Sequence, residues 1–207
     1  MTAYQAPVEH GGIVAVASSA GGVQGLTALL TALRPGLSVP VLVVQHLSRS
    51  HRTALPAILA RRSGIPVKLA EAGEHALPGT VYLAPPDHHL LIGSPGVLTL
   101  ARTALVHFVR PSADLLFESV AGAYGPRAIA CVLTGTGRDG ATGVDSVKSR
   151  GGTVIVEDPA TAEFTEMPQA AVDTGTADFV LPLVEIAAVV RGLVEDGATR
   201  SRDPSTG

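Results

Sequence analysis

Cysteine and aromatic residues are scarce in this sequence. Of its 207 residues one is cysteine, none is tryptophan and 3% are aromatic. The single cysteine, Cys131, excludes the internal disulfide framework that stabilises many small secreted domains. The amino terminus also lacks the charged start, apolar core and cleavage site of a signal peptide. We therefore expect a cytoplasmic protein.

A surplus of positive charge and a long apolar run are missing as well. The chain carries 15 Lys and Arg against 18 Asp and Glu, which gives a net charge of −3. Proteins that bind nucleic acid through its phosphates need an excess of Lys and Arg on one face, so nucleic acid is not an expected partner. Apolar runs such as VPVLVV are far shorter than the roughly 20 residues that cross a bilayer, so membrane insertion is not expected.

Short runs of Val, Ile and Leu alternate with helix-like stretches along the chain. Several of these runs are apolar without alternation, which is typical of strands buried on both faces of a parallel sheet. The pattern predicts an α/β fold, a doubly wound and mostly parallel sheet flanked by helices. Strands are predicted at 13–18, 40–45, 80–84, 128–133, 153–157 and 178–181, and helices at 22–33, 51–62, 111–124, 140–149, 167–173 and 182–195.

Two further features complete the predicted organisation. The segment 80–100 has Ser-Pro-Gly as turn material and predicts an inserted antiparallel hairpin. Residues 1–10 and 196–207 are polar and contain Gly or Pro, so we expect a flexible amino terminus and a disordered tail. A single domain is then predicted over residues 11–195.

Three chemically active side chains follow the ends of three predicted strands. Ser19 lies among small residues between a strand and a helix, as nucleophiles do in sharp strand-to-helix turns. His46 ends the second strand, and Asp139 follows the strand at 128–133. Loops at the carboxyl ends of parallel strands share one crevice, so we expect the three residues to converge. A serine nucleophile needs a base, and the base needs a carboxylate, so the pattern predicts a Ser/His/Asp triad.

Each of these residues also has a structural interpretation. Ser19 is a possible helix cap, His46 is a possible hydrogen-bonded histidine at a strand end, and Asp139 is a natural N-cap for the helix that it precedes. The joint placement at one edge of the sheet favours the catalytic interpretation. A signalling or binding module that keeps this fold without catalysis remains an alternative.

A competing motif lies in the same loop. The segment Gly135–Gly140 fits the pattern GxGxxG between a strand and a helix, and Glu157 and Asp158 lie about 20 residues further on. Dinucleotide binding is therefore another alternative. Against it, the carboxylate of Asp139 would repel the phosphates at the start of the helix.

Several ordered motifs extend over nearly the whole chain. They are Ala17–Gly22, the pair Gln45 and His46, Leu77–Gly79, Tyr82–Pro85, Arg110–Ser112 with Asp114, Thr134–Gly140, and Met167 with Pro168. From about Gly12 to Val194 the sequence resembles the catalytic domain of the chemotaxis-type protein-glutamate methylesterase (CheB) family. The receiver domain that full-length members carry is not expected here, nor is the phosphorylation-relieved inhibition that depends on it.

The resemblance implies hydrolysis of glutamate methyl esters on a chemoreceptor or a related signalling protein, with release of methanol. Deamidation of glutamines is a further activity that it leaves open. Ser19 would be the nucleophile, His46 the base and Asp139 the orienting carboxylate, and no metal or organic cofactor is expected. Oxyanion-hole candidates are the amides of Ala20 and Thr136, and substrate-site candidates are Gln45, Arg110, Glu166 and Met167.

The sequence also departs from the family's usual pattern. Thr136 stands where methionine is common, which keeps a backbone donor but changes a side chain near the substrate. Glu166 stands where a glycine usually precedes Met-Pro, which adds bulk and charge beside the expected site.

Overall fold

The computed structural model describes residues 11–34, 36–46 and 53–200. The predicted flexible segment 1–10 and residues 201–207 of the predicted tail lie outside the described residues. So does the predicted start of the second helix at residues 51 and 52.

Helices and strands alternate along most of the chain. Their bounds are β1 Ile13–Ser18, α1 Gly22–Leu33, β2 Val41–Gln45, α2 Leu55–Ser63, β3 Val67–Leu69, β4 Val81–Leu83, β5 His89–Gly93, β6 Val97–Ala101, α3 Ala113–Tyr124, β7 Ala128–Val132, α4 Ala141–Ser149, β8 Thr153–Glu157, α5 Glu166–Val172, β9 Phe179–Leu181 and α6 Leu183–Arg200. No helix in the described ranges is both long enough and apolar enough to span a bilayer.

Seven strands form one parallel sheet in the order β3-β4-β2-β1-β7-β8-β9. Strands β2, β3 and β4 all lie on one side of β1, with β4 between β2 and the edge strand β3, whereas β7, β8 and β9 follow one another on the other side. The direction in which strands are added therefore reverses between β1 and β7. In doubly wound sheets the loops beside such a reversal leave a crevice at the carboxyl ends of the strands. The predicted fold class is confirmed, and the fold indicates a crevice at the carboxyl ends of β1 and β7 as the expected place for a functional site.

The central strands are buried on both faces of the sheet. Every residue of β1, β2 and β7 is buried. In β1, Ile13, Ala15 and Ala17 pack with α3 and α4 on one face, whereas Val14 and Val16 pack with α1 and α6 on the other. This alternation of faces explains why the strands are continuous apolar runs in the sequence.

The predicted hairpin is present, but it forms a separate sheet. Strands β5 and β6 pair antiparallel with each other, with the turn at residues 94–96 between them. Leu90, Ile92 and Leu98 bury their side chains in the core beside α3. The hairpin therefore covers α3 and does not extend the main sheet.

Two elements differ from the prediction. Strand β3 has three half-buried residues at the edge of the sheet, too short a run to show a period in the sequence. Helix α6 continues to Arg200, beyond the predicted boundary at residue 195. Buried Val190 and Val194 lie four residues apart on one helix face, and this packing carries the helix through Gly197, which costs a helix only about 1 kcal/mol.

Candidate active site

The carboxyl ends of β1, β2 and β7 bring the predicted site residues to one edge of the sheet. Ser18 and Gln45 are paired in the parallel register of β1 and β2. Ser19 and His46 are the residues that follow Ser18 and Gln45, and adjacent strands of a sheet lie about 4.8 Å apart. Asp139 reaches the same edge from the loop that follows β7.

The turn after β1 is held by backbone hydrogen bonds. The amide of Ser19 donates to the carbonyl of Thr134 at 3.1 Å, and the carbonyl of Ser19 accepts from the amide of Gly22 at 3.0 Å. Gly21 adopts φ 73°, a left-handed conformation that glycine reaches without strain, and it is the N-cap of α1. Because no side chain caps α1, Ser19 is not the helix cap that its position also suggested.

Ser18 and Ser19 differ in their surroundings. The hydroxyl of Ser18 is fully buried and donates to Gln45 Oε1 at 2.6 Å. Ser19 is half-buried, and its hydroxyl makes no hydrogen bond with any described residue. The hydroxyl of Ser18 thus holds the turn, while that of Ser19 is not engaged by the part of the chain that the structure describes.

Gln45 acts as a clamp between the two strand ends. Its side-chain nitrogen donates to the backbone carbonyl of Ser19 at 2.7 Å and to that of His46 at 3.1 Å. Its side-chain oxygen accepts from the hydroxyl of Ser18. A Cβ on Gly22 would lie 2.1 Å from that oxygen and 2.8 Å from the Cβ of Ser18, so a larger residue there would displace both side chains. Gln45 is 5% exposed, and all these polar contacts are internal. The structure therefore places this substrate-site candidate beneath the turn.

His46 and Asp139 contact each other directly. His46 Nε2 lies 2.8 Å from Asp139 Oδ2, and the two side chains are 14% and 3% exposed. The nitrogen on the other side of the ring, Nδ1, is the one left for another partner. Within the described residues, no hydrogen bond joins the imidazole to Ser19. Such contacts are often long in unliganded enzymes and tighten with substrate.

The carboxylate of Asp139 also caps a helix, but not the one that follows it. It accepts from the Ser112 hydroxyl at 2.8 Å, the Ala113 amide at 2.7 Å and the Asp114 amide at 3.2 Å, all at the start of α3. The N-cap of α4 is Gly140. The interpretation of Asp139 as the cap of its own helix is therefore wrong, because the loop turns its side chain across to α3.

Asp114 returns the contact from α3. Its Oδ1 accepts from the amides of Gly140 at 3.0 Å and Gly143 at 2.7 Å, at the start of α4. We call Asp114 and Asp139 the reciprocal caps. Each lies near the N-terminus of one helix and satisfies amides at the N-terminus of the other, where orphan donors and the helix dipole both favour a negative charge.

The reciprocal caps differ in their electrostatics. Burial favours the neutral acid at Asp139, but hydrogen bonds from the His46 ring, the Ala113 amide and the Ser112 hydroxyl outweigh it and hold the pKa of Asp139 below its usual value. Burial raises the pKa of Asp114, and the charge of Asp139 adds to that effect. Asp139 is the carboxylate that stays ionised beside the imidazole.

The glycine-rich loop is not arranged to receive a pyrophosphate. The first amides of α4 are occupied by Asp114, and the amides of Gly135 and Gly137 donate to the Phe164 carbonyl and the Glu166 carboxylate. Glu157, the candidate ribose-binding acid of that alternative, accepts from the amide of Thr134 at 2.7 Å and is 3% exposed. These contacts disfavour the dinucleotide alternative.

Two amides beside Ser19 remain available. Neither Ala20 nor Thr136 donates its amide to another described residue. The loop after β7 lies against the Ser19 turn, since a Cβ on Gly135 would sit 2.9 Å from the Cβ of Ser19. An oxyanion that develops at a serine needs backbone donors of this kind.

The other three substrate-site candidates, Arg110, Glu166 and Met167, each contact other parts of the protein. Arg110 donates from Nη2 and Nε to Asp87 at 2.6 and 3.0 Å, which holds the pKa of Asp87 down at about 2. Met167 is 1% exposed, with its sulfur under the glycine-rich loop, and Glu166 accepts from the amide of Gly137 at 2.7 Å. No group of three or more metal-ligating side chains occurs within the described ranges.

Comparisons with known proteins point to one family. The sequence model described as CheB methylesterase matches residues 14–190. A Myxococcus xanthus (strain DK1622) protein named protein-glutamate methylesterase/protein-glutamine glutaminase 4 is 41% identical over 86% of this chain and 50% of its own length. A Pyrococcus abyssi protein, named protein-glutamate methylesterase/protein-glutamine glutaminase, is 38% identical over 88% of this chain and 50% of its own length. The chain thus spans about half the length of these curated relatives.

The fold is similar to that of a solved relative. The crystal structure of the Thermotoga maritima CheB methylesterase catalytic domain superposes with a TM-score of 0.82 and 37% sequence identity. The match covers 89% of this chain and 97% of that one.

Proposed function

Because the chain belongs to the CheB methylesterase family, we propose that it hydrolyses methyl esters of glutamate side chains on a protein substrate, with Ser19, His46 and Asp139 as a catalytic triad. The observation that supports this most is the contact of 2.8 Å between His46 Nε2 and the buried carboxylate of Asp139. His46 lies one residue beyond Gln45, which is the register partner of Ser18 at the ends of β2 and β1. Ser19 follows the neighbouring strand end, and its hydroxyl has no hydrogen-bond partner among the described residues.

In the proposed first step, His46 Nδ1 takes the proton of the Ser19 hydroxyl while Oγ attacks the ester carbonyl. Nδ1 is the base because Nε2 faces Asp139. The imidazolium that forms is stabilised by the ionised carboxylate. Negative charge on the carbonyl oxygen is met by the amides of Ala20 and Thr136.

The intermediate then collapses with loss of the methoxy group. Nδ1 returns its proton to the leaving oxygen, so methanol departs and a glutamyl ester of Ser19 remains. Water attacks this ester while Nδ1 takes its proton, and the second collapse breaks the bond to Ser19. The proton on Nδ1 passes to the serine oxygen, and the product is a glutamic acid side chain, which releases its remaining proton to water and becomes a carboxylate.

The proposed substrate is a methylated chemoreceptor or a related signalling protein in the cytoplasm. Glutamine deamidation would use the same acyl-enzyme, with ammonia leaving in place of methanol. The names of both relatives include glutaminase as well as methylesterase, which supports testing the two reactions side by side.

The test compares Ser19→Ala with Ser149→Ala, a control on the exposed end of α4. Methanol release from a carboxymethylated receptor is measured, and a phosphonofluoridate probe is located by mass spectrometry. We expect Ser19→Ala to lose about 10³-fold or more of the activity without a change in thermal unfolding, and the control to match the wild type. Activity retained in Ser19→Ala would remove Ser19 from its role. A wild-type protein that neither labels nor releases methanol would favour a binding module.

A further inference from the structure

His89 lies in the hairpin, outside the proposed triad, and is fully buried. Its Nδ1 accepts from the backbone amide of Ser112 at 3.1 Å, and its Nε2 faces the carbonyl of Ala104 at 3.0 Å. An amide can only donate and a carbonyl can only accept. The two partners therefore fix a neutral ring with its proton on Nε2.

The contact with Ser112 continues to the proposed catalytic carboxylate. Ser112 is the N-cap of α3, yet its hydroxyl makes no capping bond to its own helix. It donates instead to Asp139 Oδ1 at 2.8 Å, while Asp139 Oδ2 faces His46. An unbroken series of hydrogen bonds thus runs from the hairpin to the imidazole.

We propose that His89 is a positioning residue for the esterase reaction: it fixes Ser112 so that the Ser112 hydroxyl holds Asp139 in line with His46. This inference rests on the proposed function. The side chain at position 89 accepts a hydrogen bond from the Ser112 amide on one side and donates one to the Ala104 carbonyl on the other. A rigid imidazole ring can do both and loses little conformational entropy when it is held in place.

The hairpin offers a matched control for this role. A second hydrogen bond joins it to α3, from the Ile92 amide to the Ser119 hydroxyl at 3.1 Å. Ser119 lies further along α3, and its hydroxyl also donates to its own helix, to the carbonyl of Leu116. Ser119→Ala therefore weakens the attachment of the hairpin without touching the series that ends at Asp139.

Two substitutions of His89 separate its two contacts. In His89→Asn the side-chain oxygen takes the place of Nδ1 and can still accept from Ser112. In His89→Gln the side-chain nitrogen takes the place of Nε2 and keeps only the bond to Ala104. We expect kcat for methanol release to fall about 10- to 100-fold in His89→Gln, with KM changed less than about threefold. His89→Asn should recover most of kcat, and Ser119→Ala should keep it.

A double-mutant cycle tests the route through Ser112. In a Ser112→Ala background, His89→Gln should lower kcat by less than about twofold, because the hydroxyl that it acts through is already gone. Full additivity of the two losses would overturn the proposal. So would a wild-type kcat in His89→Gln, or a loss in Ser119→Ala as large as that in His89→Gln.

Folding defects and failure of the proposed function can be recognised separately. If His89→Gln does not fold, Ser112→Ala carries the test, since it keeps the amide that His89 binds and removes only the hydroxyl. A wild-type kcat in Ser112→Ala would then refute the positioning series. Ser19→Ala is assayed in parallel, because activity retained there would reject the triad itself, whatever the His89 variants do.

Discussion

Replacing each reciprocal cap by its amide should affect stability very differently. Asp139→Asn should lower the free energy of unfolding, whereas Asp114→Asn should leave it nearly unchanged, although each replaces a carboxylate by a neutral group. In Asp139→Asn, one carboxylate oxygen becomes an NH₂ group. All four neighbours of that carboxylate are donors: the His46 ring, the Ser112 hydroxyl and the amides of Ala113 and Asp114. Whichever way the amide turns, an NH₂ group must face donors.

The size of the loss follows from the contacts on one oxygen. Oδ2 receives both the His46 ring nitrogen and the Ala113 amide, at 2.8 and 2.7 Å. A hydrogen bond to a charged group contributes about 1.5–3 kcal/mol, so we expect Asp139→Asn to lower the free energy of unfolding by about 3 kcal/mol. In a domain of this size that lowers Tm by roughly 6–12 °C. Activity should fall by about 10⁴-fold, because the imidazole loses its partner.

Asp114→Asn should be tolerated. Only Oδ1 of Asp114 accepts the α4 amides, and an amide oxygen can keep both bonds. The other oxygen is buried without a hydrogen-bond partner among the described residues, and Nε2 of the exposed His107 ring lies 3.3 Å from it. Since burial and the charge of Asp139 already raise the pKa of Asp114, removing its charge costs little. We expect unfolding free energy within about 1 kcal/mol of the wild type.

The pH dependence gives a second readout. The pKa of Asp139 is lowered in the fold, so its stabilising effect is complete above its usual value of 3.8 and disappears as pH falls through the lower folded value. The pKa of Asp114 is raised, so its ionised form costs stability at neutral pH and protonation relieves that cost. The stability gap between wild type and Asp139→Asn should therefore narrow below about pH 4.

Urea unfolding and thermal melts followed by circular dichroism measure both variants, and methanol release measures activity. The reasoning fails if Asp139→Asn is as stable as the wild type, or if Asp114→Asn loses as much stability as Asp139→Asn.

Two further predictions concern packing and thiol chemistry. Gly143→Ala should lower the unfolding free energy by about 1–3 kcal/mol, because its Cβ would lie 2.8 Å from the Cβ of Phe117 and 2.9 Å from the backbone of Asp114. Gly122→Ala, an exposed control in α3 with nothing within 4 Å, should instead add about 0.5–1 kcal/mol; equal effects in urea melts would contradict this. Burial raises the pKa of the Cys131 thiol to about 12, so iodoacetamide at pH 8 should label it only as the protein unfolds in urea, and rapid labelling of the native protein would refute that burial.

The main sheet was predictable because its central strands are buried on both sides. Such strands are apolar at nearly every position before their carboxyl ends, so β1, β2, β7 and β8 stand out in the sequence as apolar runs. Strand β3 was missed because an edge strand of three half-buried residues carries no such constraint. The end of α6 was placed too early because the tertiary packing of one face decides it, and local composition does not.

The meeting of His46 and Asp139 was predictable from topology, since loops that follow the parallel strands on either side of β1 share the carboxyl edge of the sheet. The contacts that link Ser112 and His89 to this pair were not predictable in the same way. Ser112 and His89 act through contacts 27 and 23 residues apart in sequence, and no local pattern indicates which hydroxyl or ring will face a given carboxylate. The sequence did hold a signal at 110–114, in the motif that carries Ser112 and Asp114, but not the direction of their side chains.

The exchange of acids between α3 and α4 limits the order in which this protein could change during evolution. Because Asp114 and Asp139 each serve the partner helix, a chain that loses the acceptor oxygens at one of these positions has unpaired amides on the other helix, and a new cap on the same helix does not repair them. Moving the carboxylate beside His46 to another position would thus need coordinated changes in two segments about 25 residues apart.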